Sequence, residues 1–214
     1  MRLINAIGWL QTIKIPADTI SIGEAAFCNE GLQSIEVDEN NSYYSSEDGI
    51  LFNKDKTTLL AYPSQRKRPF YLVPSSVTEI ADCAFVWADI GQIFIPASVT
   101  KIGDDSFFRG HVIVDMNNPV YSSKNGYLFN KDQTYLIDVP RATDKIFIPK
   151  CVERINIMIF ENCDPLKFVI YCYENSYGHE FAEENEFNYV LIDGGMQTQI
   201  HIEVNVWERT IPKR

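Results

Sequence analysis

The sequence predicts an α/β repeat solenoid dominated by β structure, on three observations. One string recurs four times: "IPADTISIGEAAF", "VPSSVTEIADCAF", "IPASVTKIGDDSF" and "IPKCVERINIMIF". A fourteen-residue phrase, "YSSEDGILFNKDKT" from Tyr44 to Thr57, returns 77 positions later as "YSSKNGYLFNKDQT" from Tyr121 to Thr134. The 214 residues are 45% hydrophobic and 13% aromatic, enough to fill a continuous core.

The proline-anchored string defines the plain coil. Six residues after each Pro stands Ile (Ile22, Ile80, Ile102, Ile155), and eleven after it Phe (Phe27, Phe85, Phe107, Phe160). Fixed spacing of this kind places equivalent side chains in one stacked interior. Upstream of each Pro lies a short alternating strand with Ile13/Ile15, Tyr71/Val73, Ile93/Ile95 or Ile146/Ile148 on its inward face. Proline lacks the N–H that would continue a ladder, so the chain turns there toward the opposite wall.

Two further strands, Ile35/Val37 and Val112/Val114, fit the same ladder without a proline, and Val169/Tyr171 reads as the last, making seven rungs in register. The duplicated phrase departs from the two proline-free strands. Its apolar run, Asn-Lys-Asp turn and second apolar run signal a β-hairpin, so residues 38–63 and 115–140 are expected as hairpin insertions in a repeat domain spanning 1–192.

Each end of such a stack needs a cap. At the C-terminal end Ser176 starts a short helix with Tyr177, Phe181 and Ala182 inward and Glu180, Glu183 and Glu184 in water; "FNYVLI" closes a cap over 173–192. Residues 193–214, with alternating Ile200, Ile202, Val204 and Val206, read as a further strand extension. No capping helix is legible at the N-terminal end, which implies an edge that pairs with another chain or a start inside a longer stack.

The pattern "L-x-x-I-x-I-P-x-x-V-x-x-I-G-x-x-A-F" over residues 10–27, with its copies over 70–85, 90–107 and 144–160, resembles the BspA-like leucine-rich repeat family. The "Y-S-S-x-x-G-x-L-F-N-K-D" phrase and the closing "CYENSYGHEFAEENEFNYVLI" are similar to that family's insertions and terminal cap. The resemblance implies a right-handed leucine-rich repeat stack with a parallel sheet on one face. It also implies adhesion or protein binding and no catalytic residues. By resemblance the setting is secreted or cell surface; since "MRLINAIGWLQT" lacks a secretory core and no wall-attachment region is visible, a cytoplasmic location stays open. Ile7 stands where the first repeat expects Phe.

Composition and spacing exclude several functions. With 19 basic and 29 acidic residues the formal charge is −10, which repels nucleic acid and anionic membranes. No apolar run approaches the ~20 residues that span a bilayer, so no membrane insertion is expected. Cys28, Cys83, Cys151, Cys163 and Cys172 form no Cys-x-x-Cys pair and read as free thiols. His111, His179 and His201 stand at no ligand spacing, and "HEFAE" at 179–183 has Glu where a zinc protease needs its second His. Asp48 and Asp55 lack the order of a calcium loop. No phosphate loop or nucleophile elbow is present, so the chain reads as non-enzymatic, with no cofactor or metal. The basic run Arg66–Arg68 reads as a solvated loop.

What remains is the face of the sheet turned from the core. There the residues between the inward pairs are Lys14, Glu36, Leu72, Phe94, Ile113, Phe147 and Ile170, with Phe70 and Phe168 in the flanking column. From Leu72 onward this is an apolar stripe, and burying one such Phe is worth ~1.5–3 kcal/mol. The stripe is a contact site, or it is covered by a hairpin module or the C-terminal strand, or the register is mis-assigned. The first reading makes Phe70, Leu72, Phe94, Ile113, Phe147, Phe168 and Ile170 the partner-binding residues for a protein or glycan ligand. The alternative is a structural, self-assembling repeat protein that oligomerises through its N-terminal edge or apolar sheet face.

Overall fold

A computed structural model of the chain describes residues 2–3, 11–23, 26–27, 31–107, 111–140, 144–160 and 168–192. Expectations placed on Ile7, Cys28, Cys163, His201 and the strand over 193–214 fall outside the described residues. The fold is a β-dominated solenoid of leucine-rich repeat type, and the chain forms two compact units, Met1–Arg141 and Ala142–Arg214.

The first unit contains β1 (Arg2–Leu3), β2 (Thr12–Ile15), β3 (Ser21–Ile22), β4 (Ser34–Val37), β5 (Tyr44–Glu47), β6 (Ile50–Asn53), β7 (Thr58–Ala61), β8 (Arg68–Leu72), β9 (Glu79–Ile80), β10 (Ile90–Ile95), β11 (Lys101–Ile102), β12 (Val112–Val114), β13 (Tyr121–Lys124), β14 (Tyr127–Asn130) and β15 (Tyr135–Asp138). One wall is parallel: β2 pairs β4, and β8–β10–β12 align Tyr71 with Ile93 and Val112. The opposite wall pairs β7–β9–β11 through Leu59, Ile80 and Ile102, and β1 with β3.

Each plain coil turns at its proline as expected. The Pro16, Pro74 and Pro96 carbonyls accept the N–H three residues on, from Thr19, Val77 and Val99 at 3.2, 3.0 and 3.3 Å, and those three side chains are buried. Phe85 and Phe107 occupy equivalent places in successive coils. A parallel bridge joins them, and their rings stack at 5.2 Å with planes 10° apart. An aromatic pair in that geometry adds ~0.5–1.5 kcal/mol to its area burial. Phe27 packs, half-buried, on a separate cluster of Ile13, Ile15, Leu32, Ile35, Leu51 and Ala61.

That separation has a cause in the duplicated phrase. A single hairpin was expected, but Tyr44–Glu47 is itself a strand, and β5–β6–β7 form a three-stranded antiparallel meander. All three apolar residues of β6 are buried: Leu51 faces the cluster of Ile13 and Ile35, while Ile50 and Phe52 face that of Ile80, Ile95 and Phe85. A strand at the surface could not bury consecutive residues, because neighbours point to opposite faces. The module is therefore a partition through the core. β13–β14–β15 repeat the arrangement, with Leu128 in the middle cluster and Phe129 buried.

The polar residues of the phrase secure it. Asn41, fully buried, donates to Pro16 O (2.8 Å) and Thr19 O (3.0 Å) and accepts from the N–H of Tyr43 and Tyr44, both 2.8 Å; Asn118 does the same between Pro96, Val99, Val120 and Tyr121. The Tyr44 and Tyr121 hydroxyls accept the N–H of Ile22 (3.1 Å) and Ile102 (2.9 Å). Ser46 and Ser123 accept from Val37 and Val114, each at 2.9 Å. The Gly49 and Gly126 carbonyls take the N–H of Ile35 (2.8 Å) and Val112 (3.1 Å). Among the described residues of the unit β4 and β12 have no following strand beside them, and these last contacts show why: the module's tip fills that place.

The second unit comprises β16 (Lys145–Phe147), β17 (Arg154–Ile155), a 3-10 turn over Ile157–Phe160, β18 (Val169–Cys172), α1 (Tyr177–Glu184) and β19 (Asn188–Leu191). Here the proline turn recurs, with Val152 N–H on Pro149 O at 3.1 Å. Helix α1 begins after Ser176, whose hydroxyl accepts from His179 N, and buries Phe181 and Ala182. Phe160 meets Phe168, Phe181 and Phe187 at ring separations of 5.5, 5.2 and 4.8 Å. Gly178 allows this docking, since a Cβ there would lie 2.8 Å from Ile148 Cγ2.

The last strand corrects the expected phase. Ile170 aligns with Ile146 rather than with Phe147, so Phe168, Ile170 and Cys172 point into the core and Val169 and Tyr171 away from it. Every residue from Phe168 to Tyr173 is apolar or aromatic, and such a run holds no polar marker to fix its parity.

Candidate functional site

The outward face of β8–β10–β12 is built from the alternation of those strands. Tyr71, Ile93, Val112 and Ile95 fill the core, which forces their neighbours into solvent. Leu72, Phe94 and Ile113 stand side by side across the three strands, and Phe70 lies beside Gln92. Phe70 and Leu72 are 59% and 60% exposed; Phe94 and Ile113 are half-buried. The hairpin modules do not cover them, because those modules run through the core.

On β2–β4 the same row is polar. Lys14 and Glu36 face each other there at 3.5 Å, both well exposed, a pair of small energetic weight. In the second unit Phe147 is 41% exposed and its ring meets Tyr173 edge-on at 6.0 Å. Of the seven residues predicted to bind a partner, Phe70, Leu72, Phe94 and Ile113 share one face of the first unit and Phe147 lies on the outward side of the second. Phe168 and Ile170 are 6% and 0% exposed in the core, which removes them from the face.

The border of the face holds residues that sequence reading missed. Arg66 and Arg68 each place a guanidinium on one oxygen of Asp48, at the tip of the first hairpin, and Lys67 pairs with Asp89 at 3.2 Å. The basic run is thus engaged rather than merely solvated. Its partner lies on the other side of β6 and β7, beyond the reach of any local pattern; the legible signal was Asp48-Gly49, a two-residue hairpin turn with φ of 53° and 74°. The hydrogen bond from Arg66 and the charges of both arginines hold the Asp48 carboxyl below its ordinary value against the opposing effect of burial.

Reactive groups are placed structurally. His179 lies on α1 with Nε2 3.6 Å from Glu183 Oε1, which also accepts from the Tyr189 hydroxyl at 3.1 Å. Burial, reinforced by Glu183, pushes the Cys172 thiol up to about 11, so it is protonated at neutral pH. Among the described residues no three His, Cys, Asp or Glu side chains converge as a metal site. No described helix is long and apolar enough to cross a membrane.

Parallel rungs at proline turns, stacked phenylalanines and a duplicated partition are what a repeat family would specify. The family model of the BspA type leucine rich repeat region matches residues 6–68 and 71–142, in 6 copies and over more than half of the chain. The chain belongs to this family. BspA-type repeats are in general scaffolds for protein interaction rather than enzymes. The fourth proline copy, at 149–160, lies past the matched residues yet keeps the same turn and buried Phe160.

Among solved structures, the chain is similar to a leucine rich cell surface protein from Faecalibacterium prausnitzii at 24% identity, covering 87% of this chain and 49% of that one with a TM-score of 0.54. It is also similar to a leucine-rich repeat protein from Eubacterium ventriosum (24% identity, 77% and 37% covered, TM-score 0.43) and to the pneumococcal vaccine antigen PcpA (16%, 86% and 56%, TM-score 0.42). The chain therefore spans between 37% and 56% of these proteins' lengths, and at 24% identity the likeness to the Faecalibacterium prausnitzii protein speaks for the fold alone. No curated protein matches the chain.

Proposed function

We propose that the chain is a non-enzymatic protein-binding module of the adhesion type, and that its contact surface is the outward face of β8–β10–β12. The observation that supports it most is the adjacency of Phe70, Leu72, Phe94 and Ile113 on a face that the alternation of the strands holds in solvent. Two large apolar side chains left more than half exposed side by side are costly to leave wet, and clusters of this kind mark contact sites. The general role of BspA-type repeats agrees with this reading.

The test is the double substitution Leu72→Asp with Phe94→Asp. Because both side chains point outward, the melting temperature stays near that of the parent while capture of a protein partner, followed by surface resonance against candidate ligands, is lost. Capture that survives both substitutions sinks the assignment of this face. Sedimentation at several concentrations separates a foreign partner from self-association, which the same substitutions would abolish if the face paired with itself.

A further inference from the structure

We propose that Asp48, Arg66 and Arg68 form an ionic latch that seats the start of β8 against the tip of the first hairpin, and that acid or salt opens this latch while the second hairpin stays closed. Three elements meet there. Asp48 belongs to the β5–β6 turn, Arg66 to the loop after β7, and Arg68 is the first residue of β8, the strand that carries Phe70 and Leu72. The same turn closes the edge of β4, since Gly49 O accepts Ile35 N–H at 2.8 Å. Arg66 is fixed from its backbone as well, its carbonyl accepting the Tyr62 hydroxyl at 3.1 Å, and its side chain is only 20% exposed. One carboxylate shared by two guanidiniums from separate elements is a tie, and removing its charge leaves two cations facing each other.

The second module lacks the charge. Asn125 stands in place of Asp48, and the turn is held by packing, with His111 and Pro140 so close to Gly126 that a Cβ would lie 2.6 and 2.9 Å from them. The charged and titratable groups around Asp48 are Arg66, Arg68, the Glu47–Lys56 pair at 2.6 Å on its own hairpin, and the hydroxyls of Tyr62 and Tyr71. Since the folded-state carboxyl titrates below its ordinary value, the latch's contribution is complete above the ordinary value and is lost as pH falls from there through the lower folded-state value.

Asp48 acts on the face as a positioning residue, and that consequence rests on the function proposed above; the latch itself does not. Amide hydrogen exchange on the full chain reads it directly, by comparing the Ile35 amide, bonded to Gly49, with the Val112 amide, bonded to Gly126. Asp48→Asn is expected to lower protection at Ile35 about fivefold near pH 6 and leave Val112 unchanged. Asp48→Glu restores part of it. In the parent chain, protection at Ile35 falls as the pH drops below about 4, the ordinary value of an aspartate, and the loss is completed at lower pH. The Asp48→Asn chain loses that component, while any part due to Glu47 persists. Raising salt at pH 6 reproduces the loss without acid. Unchanged exchange at Ile35 in Asp48→Asn, or equal losses at Ile35 and Val112, overturns the latch. A preserved contrast with failed partner capture overturns the binding face alone.

Discussion

The two hairpin modules share ten of the fourteen residues of their phrase and are secured at their tips by different means. The shared residues act within the module or on the adjoining coil: the tyrosine hydroxyls cap a wall strand, the second serines cap β4 and β12, and Leu51/Phe52 and Leu128/Phe129 fill the core on both sides. The first serines, Ser45 and Ser122, donate to the carbonyls of Asn53 and Asn130, each at 2.9 Å. The residues that differ include those at the exposed border. Asp48, which reaches two arginines outside the phrase, becomes Asn125, and the Glu47–Lys56 pair, inside the hairpin but in solvent, becomes Lys124 and Gln133. A duplicated unit thus repeats its buried wiring, while its exposed contacts differ between the two places in the stack.

The largest test of that equivalence is at the buried asparagines. Asn41→Ala and Asn118→Ala each leave one carbonyl (Thr19 or Val99) and two N–H groups unpaired away from water, while Pro16 O and Pro96 O keep the N–H of Thr19 and Val99; at about 1 kcal/mol per unpaired group the cost is about 3 kcal/mol. Urea midpoints should fall alike for the two, and unequal losses break the analogy. The glycines should then part company. Gly49→Ala and Gly126→Ala both force an L side chain to φ of +74° and +84°, for about 1–2 kcal/mol. In the first case the new methyl meets the Ser34 hydroxyl at 2.6 Å, which can rotate, and only grazes Arg66 Nη1 and Ser34 Cα at 3.1 and 3.3 Å; in the second it meets the His111 ring at 2.6 Å and Pro140 at 2.9 Å. Gly126→Ala is therefore the more damaging, and His111→Ala in the same chain recovers part of its loss.

Tyr44→Phe and Tyr121→Phe come next, each leaving one wall N–H without its acceptor, for about 1 kcal/mol. Burial raises the Tyr121 hydroxyl above its ordinary value, so it is the neutral phenol that serves as acceptor through neutral pH.

How much of this was legible follows from where each signal sits. Proline, the isoleucine six places on and the phenylalanine eleven on are local, and the coils they define are the coils observed. The meander was half read. "NKD" announced one turn, but the Asp-Gly and Asn-Gly turns were passed over because Tyr-Ser-Ser does not look like a strand. Its second serine takes a backbone N–H of β4 or β12 and its first donates to a carbonyl of its own module, so neither is there to bury area. The parity of β18 was misread since apolar residues on both faces carry no phase. The candidate face shares this origin: strands anchored by a following Pro or Asp kept their parity, so Phe70 and Leu72 stand in solvent with Phe94 and Ile113 half-buried beside them, whereas Phe168 and Ile170, from a strand without such an anchor, are buried. The Asp48 tie was out of reach, since it depends on a fold that brings together residues 18 and 20 apart.

The smallest expected effect is the sharpest check on the idea that exposed contacts were free to change. Glu47 and Lys56 pair at 2.6 Å with side chains 60% and 41% exposed, and both positions differ in the second copy. An exposed pair holds two long side chains in one geometry against water and salt, which leaves it worth under about 0.5 kcal/mol. Lys56→Gln, which installs the second copy's residue, should shift the urea midpoint barely at all, and the shift should vanish at high salt. A loss comparable to that of Tyr44→Phe would show that this pair belongs to the internal wiring after all, and the division between strict interior and free border would have to be redrawn.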